Sequence, residues 1–419
     1  MDDAENWDWE TGEKVIAVAP WREQFKWVEE FQVRPDGEKI AAIVNQDEAE
    51  FRVCVNGEPW EGVFDKAWYL RFSPDGRLTA LVSVMGEWTV AVDGAPWETR
   101  FGYVWNTRFS RDGRHIAAAV QQDMQYGMAL DGVCWPRLFA NLSNASLSPD
   151  GRVTAAAVQV ESLSEGDIHR FQEGTYTVAA AGQPWERLFV NVWHIAHGPG
   201  GRLAAEVRLS LYDYTIAVDG VCWDETFQAV WEPVFNPATG AVTAPVRRGG
   251  RWALFQDGSL LWDRDFLQLW HQTFSPGGET LAAIVAPSFG RWTVAVDGRP
   301  WPVTFGALVT DLVLSTDGAR VAALGKQGDA WHVAVDGTVW PDALDMAWRP
   351  VFSPDGGHVA VKVEKGGAYT LAVDGRLWTE SAEALFDPVF SPDGDKLLIK
   401  MIKEGKYHRR VVPVTELAG

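Results

Sequence analysis

The sequence has few cysteines and no long apolar run, and each absence excludes a class of protein. Its 419 residues include three isolated cysteines, Cys54, Cys134 and Cys222. An odd, scattered set does not make a disulfide framework and favours a reducing compartment. No apolar run approaches the ~18–20 residues that span a bilayer. The N-terminus, MDDAENWDWE, is acidic and does not resemble a secretory signal, so we expect a cytoplasmic protein.

The sequence also has fewer basic than acidic residues. The chain has 37 Lys and Arg residues against 57 Asp and Glu residues, which gives a formal net charge of -20. Nucleic acids and anionic lipid surfaces carry charge of the same sign. We therefore expect no nucleic-acid partner and no direct membrane insertion.

Motifs for catalysis or cofactor binding are absent from the sequence. It contains no G-x-S-x-G elbow, H-E-x-x-H helix, glycine-rich phosphate loop or C-x-x-C pair. His194 and His197 have no third ligand nearby, which favours a surface turn over a metal site. Asp387, Asp393 and Asp395 lack the spacing of a calcium loop. The prediction is a protein with no catalytic residue, no metal site and no cofactor.

The chain is rich in one repeated segment, which appears as EWTVAVDGAPW at Glu87–Trp97. Close copies are RWTVAVDGRPW at Arg291–Trp301, DYTIAVDGVCW at Asp213–Trp223 and AWHVAVDGTVW at Ala330–Trp340. Val90 and Val92 alternate with other residues, and this period of two predicts a strand. Asp93-Gly94 supplies a two-residue hairpin turn that accepts positive φ. Because Pro96 cannot donate a ladder hydrogen bond, the next strand is expected at a sheet edge, anchored by Trp97.

A second signal, Ser73-Pro74-Asp75-Gly76, runs in step with the first. It recurs as SPDG at Ser148, Ser353 and Ser391, and in altered forms in six other places. Ser, Pro and Gly suit successive positions of a tight turn. Units of about 38 residues with four strands each match the blades of a β-propeller. We predict an all-β fold, a propeller of about ten four-stranded repeats.

The two ends of the chain predict how the propeller closes. The last unit stops after its third strand, and the missing piece stands at the start of the chain, around Val15–Phe25. Closure removes two exposed sheet edges, so the N-terminal and C-terminal strands are expected to pair. The predicted organisation is an acidic arm over residues 1–13 and a single propeller domain over residues 14–419. Two smaller propellers are the alternative.

The 23 tryptophans follow the repeat. Ten are anchors like Trp97, six precede the SPDG-type turns, and four open the third strand of a unit. Such regularity favours packing between blades, where large rings fill the space that alanines leave. A stacking surface for sugars or bases is the alternative and requires tryptophans gathered on one face.

Two breaks in the repeat are candidate partner contacts. One is the insertion Glu161–Glu173 in the fourth unit, and the other is a basic stretch near the C-terminus. A solvated loop and a solvated strand face are the simpler interpretations, and docking to a partner is the functional one. The candidate residues are Ile168, His169, Arg170, Phe171, Lys403, Lys406, Arg409 and Arg410.

The SPDG units with tryptophan strands resemble the tryptophan-aspartate-like propeller repeats of the TolB type. Longer segments also resemble the TmcD family, the tryptophan-rich subunits of the Tmc transmembrane electron-transfer complex of sulfate-reducing bacteria. Those segments are WDWETGEKV, EAEFRVCVNGEPWE, AWYLRFSPDGRLTALVSV, QQDMQYGMALDG, LYDYTIAVDG and WEPVFNPATG. The resemblance covers nearly the whole chain and identifies no functional residue.

The resemblance implies a non-catalytic accessory subunit on the cytoplasmic side of the inner membrane, attached through protein partners. Those partners are a membrane cytochrome b, an iron–sulfur protein and a periplasmic multihaem cytochrome c. The complex links periplasmic hydrogen oxidation to the cytoplasm. Two other functions remain open, namely a propeller enzyme with its site in the central channel and a carbohydrate-binding propeller.

Overall fold

The fold is all-β, in a computed structural model that describes residues 4–164 and 166–417. Ten antiparallel sheets follow one another along the chain, each with the four-stranded pattern of a propeller blade. The predicted fold class, a ten-bladed β-propeller, is confirmed. Residues 1–3 of the predicted arm, Glu165 of the insertion and residues 418–419 lie outside the described residues.

The blades fall into two compact units. Unit 1 comprises residues 4–6, Ile16–Asp213 and Ala217–Cys222, and unit 2 comprises Trp7–Val15, Tyr214–Ile216 and residues 223–417. Within each blade we name the strands A to D, in the order in which they pair.

Blades 1 to 5 belong to unit 1, except for residues 214–216 of the third strand of blade 5. Their strands are, for blade 1, Trp27–Val33, Ile40–Asp47, Glu50–Val55 and Glu58–Pro59; for blade 2, Lys66–Phe72, Leu78–Val84, Glu87–Val92 and Ala95–Pro96; for blade 3, Tyr103–Phe109, Ile116–Gln122, Gln125–Leu130 and Val133–Cys134; for blade 4, Asn141–Leu147, Thr154–Gln159, Tyr176–Ala180 and Gln183–Pro184; for blade 5, Asn191–His197, Leu203–Arg208, Tyr214–Val218 and Val221–Cys222.

Blades 6 to 10 belong to unit 2, except for residues 16–17 of strand D of blade 10. In blades 6, 9 and 10 strand A is split in two. Their strands are, for blade 6, Ala229–Val230 with Val234–Phe235, Val242–Arg248, Arg251–Gln256 and Ser259–Leu260; for blade 7, Gln268–Phe274, Leu281–Ser288, Arg291–Val296 and Arg299–Pro300; for blade 8, Leu308–Leu314, Val321–Gln327, Ala330–Val335 and Thr338–Val339; for blade 9, Met346–Ala347 with Val351–Phe352, Val359–Lys365, Ala368–Val373 and Arg376–Leu377; for blade 10, Ala384–Leu385 with Val389–Phe390, Lys396–Lys403, Lys406–Pro413 and Gly12–Ala17.

Helices are few and short. The α-helices are Trp21–Gln24, Ile168–Glu173 and Val414–Leu417, and the 3-10 helices are Ala4–Asn6 and Pro199–Gly201.

Blade 10 is completed by the N-terminal strand, as the sequence predicted. Gly12–Ala17 pairs with Lys406–Pro413 and takes the strand D position. The ammonium of Lys396 donates to the carbonyl oxygen of Trp9 over 2.9 Å, and the buried guanidinium of Arg409 donates to that of Asp8. The strand is Gly12–Ala17, so it begins before the predicted region around Val15–Phe25, in which Trp21–Gln24 is helical.

The aspartate-glycine turns join strands C and D, as the sequence predicted. Asp93 and Gly94 have φ of +48° and +89°, so both central residues of the hairpin turn adopt positive φ. The Asp93 carboxylate also accepts a hydrogen bond from the backbone N–H of Leu78, over 2.9 Å. Equivalent bonds run from Ile116 to Asp131 and from Val321 to Asp336. The turn residue thus also ties strand C to the start of strand B.

The anchoring tryptophans pack against the glycine of the next blade's turn. A Cβ added at Gly132 in blade 3 would lie 3.3 Å from the Trp97 ring of blade 2. The same contact recurs between Trp301 and Gly337, with 3.3 Å to the ring. Each of these two rings therefore leaves little room for a side chain at the turn glycine. The predicted packing between blades is confirmed for these anchors.

Trp135 is an anchoring tryptophan that is buried and also donates a buried hydrogen bond. It is 7% exposed, and its Nε1 donates to the hydroxyl of Thr154 over 2.7 Å. Its ring meets Phe139 edge to face, with 6.1 Å between centroids. This tryptophan joins the apolar cores of blades 3 and 4.

We expect Trp135→Ala to lower the free energy of unfolding by about 3–5 kcal/mol, the usual cost of removing a large buried aromatic side chain. Trp27 is 59% exposed and provides the control, since Trp27→Ala should cost less than about 1 kcal/mol. Equilibrium unfolding in urea measures both. Equal effects of the two substitutions would contradict the packing role.

We expect deletion of residues 1–17 to lower the melting temperature and cause aggregation, because it exposes the edge of Lys406–Pro413. Deletion of residues 1–6 keeps that strand and is the control. Thermal unfolding and size-exclusion chromatography distinguish the two forms. A chain without residues 1–17 that melts like the full chain would show that the N-terminal strand is dispensable.

Candidate functional site

The insertion in blade 4 forms a surface helix between strands B and C. Ile168–Glu173 is helical, and Ile168 is 65% exposed. Arg170 forms a contact within the insertion, because its Nε donates to the carboxylate of Glu161 over 2.7 Å. The helix ends at Gly174, where φ is +99° and an added Cβ would lie 2.6 Å from the backbone of Phe189. His169 is exposed and Phe171 half-buried.

The basic C-terminal stretch divides into two parts. Lys403 and Lys406 flank the hairpin between strands B and C of blade 10, and Lys403 lies 3.6 Å from Glu380. Arg409 is 3% exposed, and its guanidinium donates to the carbonyl oxygen of Asp8. Arg410 makes two hydrogen bonds to Glu380, of 2.8 and 2.9 Å, which are the main reason that the pKa of this carboxyl is lowered. The two lysines are therefore the more accessible candidates of this stretch.

A set of apolar residues at the B–C hairpins of unit 1 was not predicted from the sequence. Met85 is 90% exposed and Met124 is 74% exposed, at the tips of blades 2 and 3. In blade 5, Leu211 and Tyr212 are 53% and 77% exposed. Together with Ile168 of blade 4, these residues form what we call the apolar hairpin edge. The signal was present in the sequence, since turns normally carry Gly, Asn or Asp at such positions.

Strain at the two methionines supports this interpretation. Met85 and Met124 have φ of +55° and +61°, a region that L-residues other than Asn and Asp rarely occupy. The equivalent hairpin of blade 9 carries Gly366 and Gly367 instead. Both side chains are largely exposed, and Sδ of Met124 accepts a hydrogen bond from Nε2 of Gln121 over 3.6 Å. Exposed apolar groups of this kind are typical of surfaces that bind partners.

Aromatic side chains extend the apolar hairpin edge in blades 2 and 3. Trp68 meets Trp88 with 6.4 Å between ring centroids, and Trp88 meets Tyr103 at 5.4 Å. Tyr103 stacks on Trp105 at 6.0 Å. Trp68 and Tyr103 are 37% and 39% exposed. These rings stand at the hairpin end of their blades, because Lys66 at the start of strand A lies opposite Ser83 near the end of strand B.

The histidine pair of blade 5 lies in strand Asn191–His197, not in the surface turn that the sequence suggested. Nδ1 of His194 lies 2.9 Å from the carboxylate of Glu206. Nε2 of His197 lies 2.9 Å from the hydroxyl of Ser146, and burial lowers the pKa of His197 to about 4. Among the described residues, no group of three or more His, Cys, Asp and Glu side chains has the arrangement of a metal site.

The cysteines are unpaired, and Cys54 is buried. Burial raises the pKa of the Cys54 thiol to about 11, so this residue remains a neutral thiol near neutral pH. In the described part of the chain, no helix has the length and apolar character that crossing a bilayer requires.

No family model and no curated protein matches the chain. A crystal structure described as the eukaryotic initiation factor shares 13% identity, covering 80% of this chain and 89% of that chain, with a TM-score of 0.48. The Dos1 propeller shares 11% identity over 82% and 92% of the two chains, with a TM-score of 0.36. The propeller domain of Myceliophteria thermophila Cps50 (Swd1) shares 12% identity, covering 66% of this chain and 99% of that chain, with a TM-score of 0.31. We draw no functional conclusion from these distant similarities.

His197 predicts a pH dependence of stability. Because its pKa is lowered from 6.5 to about 4, the unfolded chain binds the proton more tightly, and stability falls as the pH drops from 6.5 toward 4. From pH 8 to pH 5, we expect the free energy of unfolding to fall by about 2 kcal/mol less in His197→Asn than in the unmodified chain. Urea unfolding at the two pH values measures this difference. His169→Gln on the exposed helix is the control. An unchanged pH profile in His197→Asn would contradict the assignment.

Proposed function

We propose that this protein is a non-catalytic docking subunit of a membrane-bound electron-transfer complex, attached through protein partners to the cytoplasmic side of the inner membrane. The partners proposed are a cytochrome b, an iron–sulfur protein and a multihaem cytochrome c. The resemblance of long segments to the TmcD family supports this assignment. The protein holds no cofactor of its own in this proposal.

The observation that carries the proposal is the apolar hairpin edge. It comprises exposed apolar side chains on four consecutive blades, and these blades pack on one another through shared cores. Exposed methionines suit a binding surface because they adapt their shape to a partner. A rigid β-framework loses little entropy when such a surface binds. A protein partner is favoured over a lipid surface, since the net charge of -20 opposes approach to anionic lipid.

The candidate residues of the sequence analysis fit this surface in part. Ile168, His169, Arg170 and Phe171 lie in the B–C connection of blade 4, between the exposed tips of blades 3 and 5. Lys403 and Lys406 occupy the corresponding hairpin of blade 10. The proposal is therefore that partner contacts are made by the B–C connections of blades 2 to 5 and of blade 10.

Purification of the tagged protein from native membranes in mild detergent tests the proposal. We expect haem and iron–sulfur subunits to be recovered with it, detected by absorbance and by mass spectrometry. The triple substitution Met85→Ser, Met124→Ser and Tyr212→Ser should reduce this recovery by about tenfold or more, because hot-spot contacts dominate binding. Lys403→Glu with Lys406→Glu tests the second set of contacts in the same assay.

Phe289→Ser is the matched control. Phe289 is 95% exposed at the B–C hairpin of blade 7, outside the apolar hairpin edge, and its substitution should leave recovery unchanged. Recovery of the protein alone from the soluble fraction would contradict the proposal. So would purification with a chromophore of its own.

The aromatic cluster favours a second candidate function, carbohydrate binding. Trp68 and Tyr103 expose part of their rings on one edge, which is the arrangement that a sugar-stacking surface requires. Quenching of tryptophan fluorescence by a glycan, with no membrane subunits recovered, would favour this candidate over docking.

A further inference from the structure

A polar cavity of about 380 Å³ lies within unit 2, where strands A of blades 6 to 9 come together. It is lined by Glu232, His271, Gln272, Thr273, Thr310, Asp311, Leu312 and Arg349. A volume of this size suits a small molecule. Neither the sequence motifs nor the apolar hairpin edge involves these residues.

Blades 6 to 9 each place a polar residue at the same repeat position beside this cavity. Glu232, His271, Asp311 and Arg349 each stand four residues before the first residue of their blade's A–B turn. His271 and Asp311 have φ of +50° and +52°, and strand A has a bulge at both places. In blades 6 and 9 a proline follows Glu232 and Arg349 and interrupts strand A. Bulges and breaks of this kind redirect side chains and are frequent beside binding sites.

Opposite charges line this cavity without neutralising each other. Asp311 and Arg349 come from blades 8 and 9, and neither forms an ion pair or side-chain hydrogen bond with any residue in the described part of the chain. Elsewhere in blade 8, Arg320 lies 3.0 Å from Asp336. The cavity thus presents a separated positive and negative charge to whatever enters it. A ligand that carries both charges complements it, because each end meets its opposite.

The remaining polar groups of the cavity favour an ammonium group on the ligand. Glu232 adds a second carboxylate, with Oε1 lying 3.2 Å from Nδ1 of His271. Gln272 is 2% exposed and donates through Nε2 to the backbone oxygen of Glu232. Its Oε1 is buried and has no donor among the described residues. Buried acceptors are normally satisfied, so this oxygen lacks a partner that a ligand N–H can supply.

We infer that this cavity binds a small zwitterion, namely a free α-amino acid. Arg349 would hold the ligand carboxylate, and the carboxylates of Asp311 and Glu232 would hold its ammonium group. Thr273 and Thr310 also line the cavity, and their hydroxyls would supply further polar contacts. This site is independent of the proposed docking function, since it uses none of the same residues.

Isothermal titration calorimetry with each of the twenty free amino acids at millimolar concentration tests the inference on the full chain. We expect saturable binding of at least one of them. Its N-acetyl derivative lacks the ammonium group and its methyl ester lacks the carboxylate, so each should bind at least about tenfold more weakly. Failure of all twenty to bind would overturn the inference, as would a derivative that binds as well as its parent.

Substitutions connect binding to the cavity. Arg349→Gln and Asp311→Asn should each weaken binding by about tenfold or more, which is the effect of one lost charge-assisted hydrogen bond. Both positions are at least partly exposed, so the melting temperature should change little. Arg22→Gln and Asp329→Asn, at exposed positions outside the cavity, are the matched controls. Binding that survives both cavity substitutions would overturn the inference.

Discussion

The contact between an anchoring tryptophan and the turn glycine of the following blade is the constraint on which the rest of the structure depends. A Cβ added at Gly298 would lie 3.3 Å from the ring of Trp262, and φ at this glycine is +77°. The positive φ therefore favours glycine, and the ring leaves little room for a side chain. Each of blades 1 to 8 packs its tryptophan against the turn glycine of the next blade, so neighbouring blades stabilise one another.

This constraint leaves the hairpins between strands B and C free to vary. Their tips take no part in the tryptophan-glycine contact, and the chain fills them differently in each blade. Met85 and Met124 occupy the turn positions of Gly366 and Gly367 in blade 9, and blade 4 inserts the helix Ile168–Glu173. Loops on a rigid framework commonly carry function for this reason. The same freedom holds at the strand A bulges, where Asp311 and other polar residues line a cavity.

Much of the fold was predictable, whereas the candidate sites were predictable only in part. The period of the repeat is local, so the Asp93-Gly94 turn and a closing N-terminal strand were expected before the structure, which places that strand at Gly12–Ala17. The partners of charged side chains are not local. Arg409 was one of several exposed basic candidates in the sequence, yet it is buried against a segment 401 residues away. The exposed methionines stand at turn positions that the sequence makes visible, but only the structure shows that four consecutive blades expose apolar residues at their B–C connections.

The sequence by itself determined the number of blades, the turns and the tryptophan packing, because each of these follows from short motifs repeated in register. Only the tertiary structure decided which polar residues remain available. Asp311 and Arg349 stand 38 residues apart in separate blades, and blade packing brings them to one cavity without pairing them. The physical reason is that a hydrogen bond or ion pair depends on distances of a few ångströms. Such distances between blades are set by packing, and no spacing along the chain encodes them.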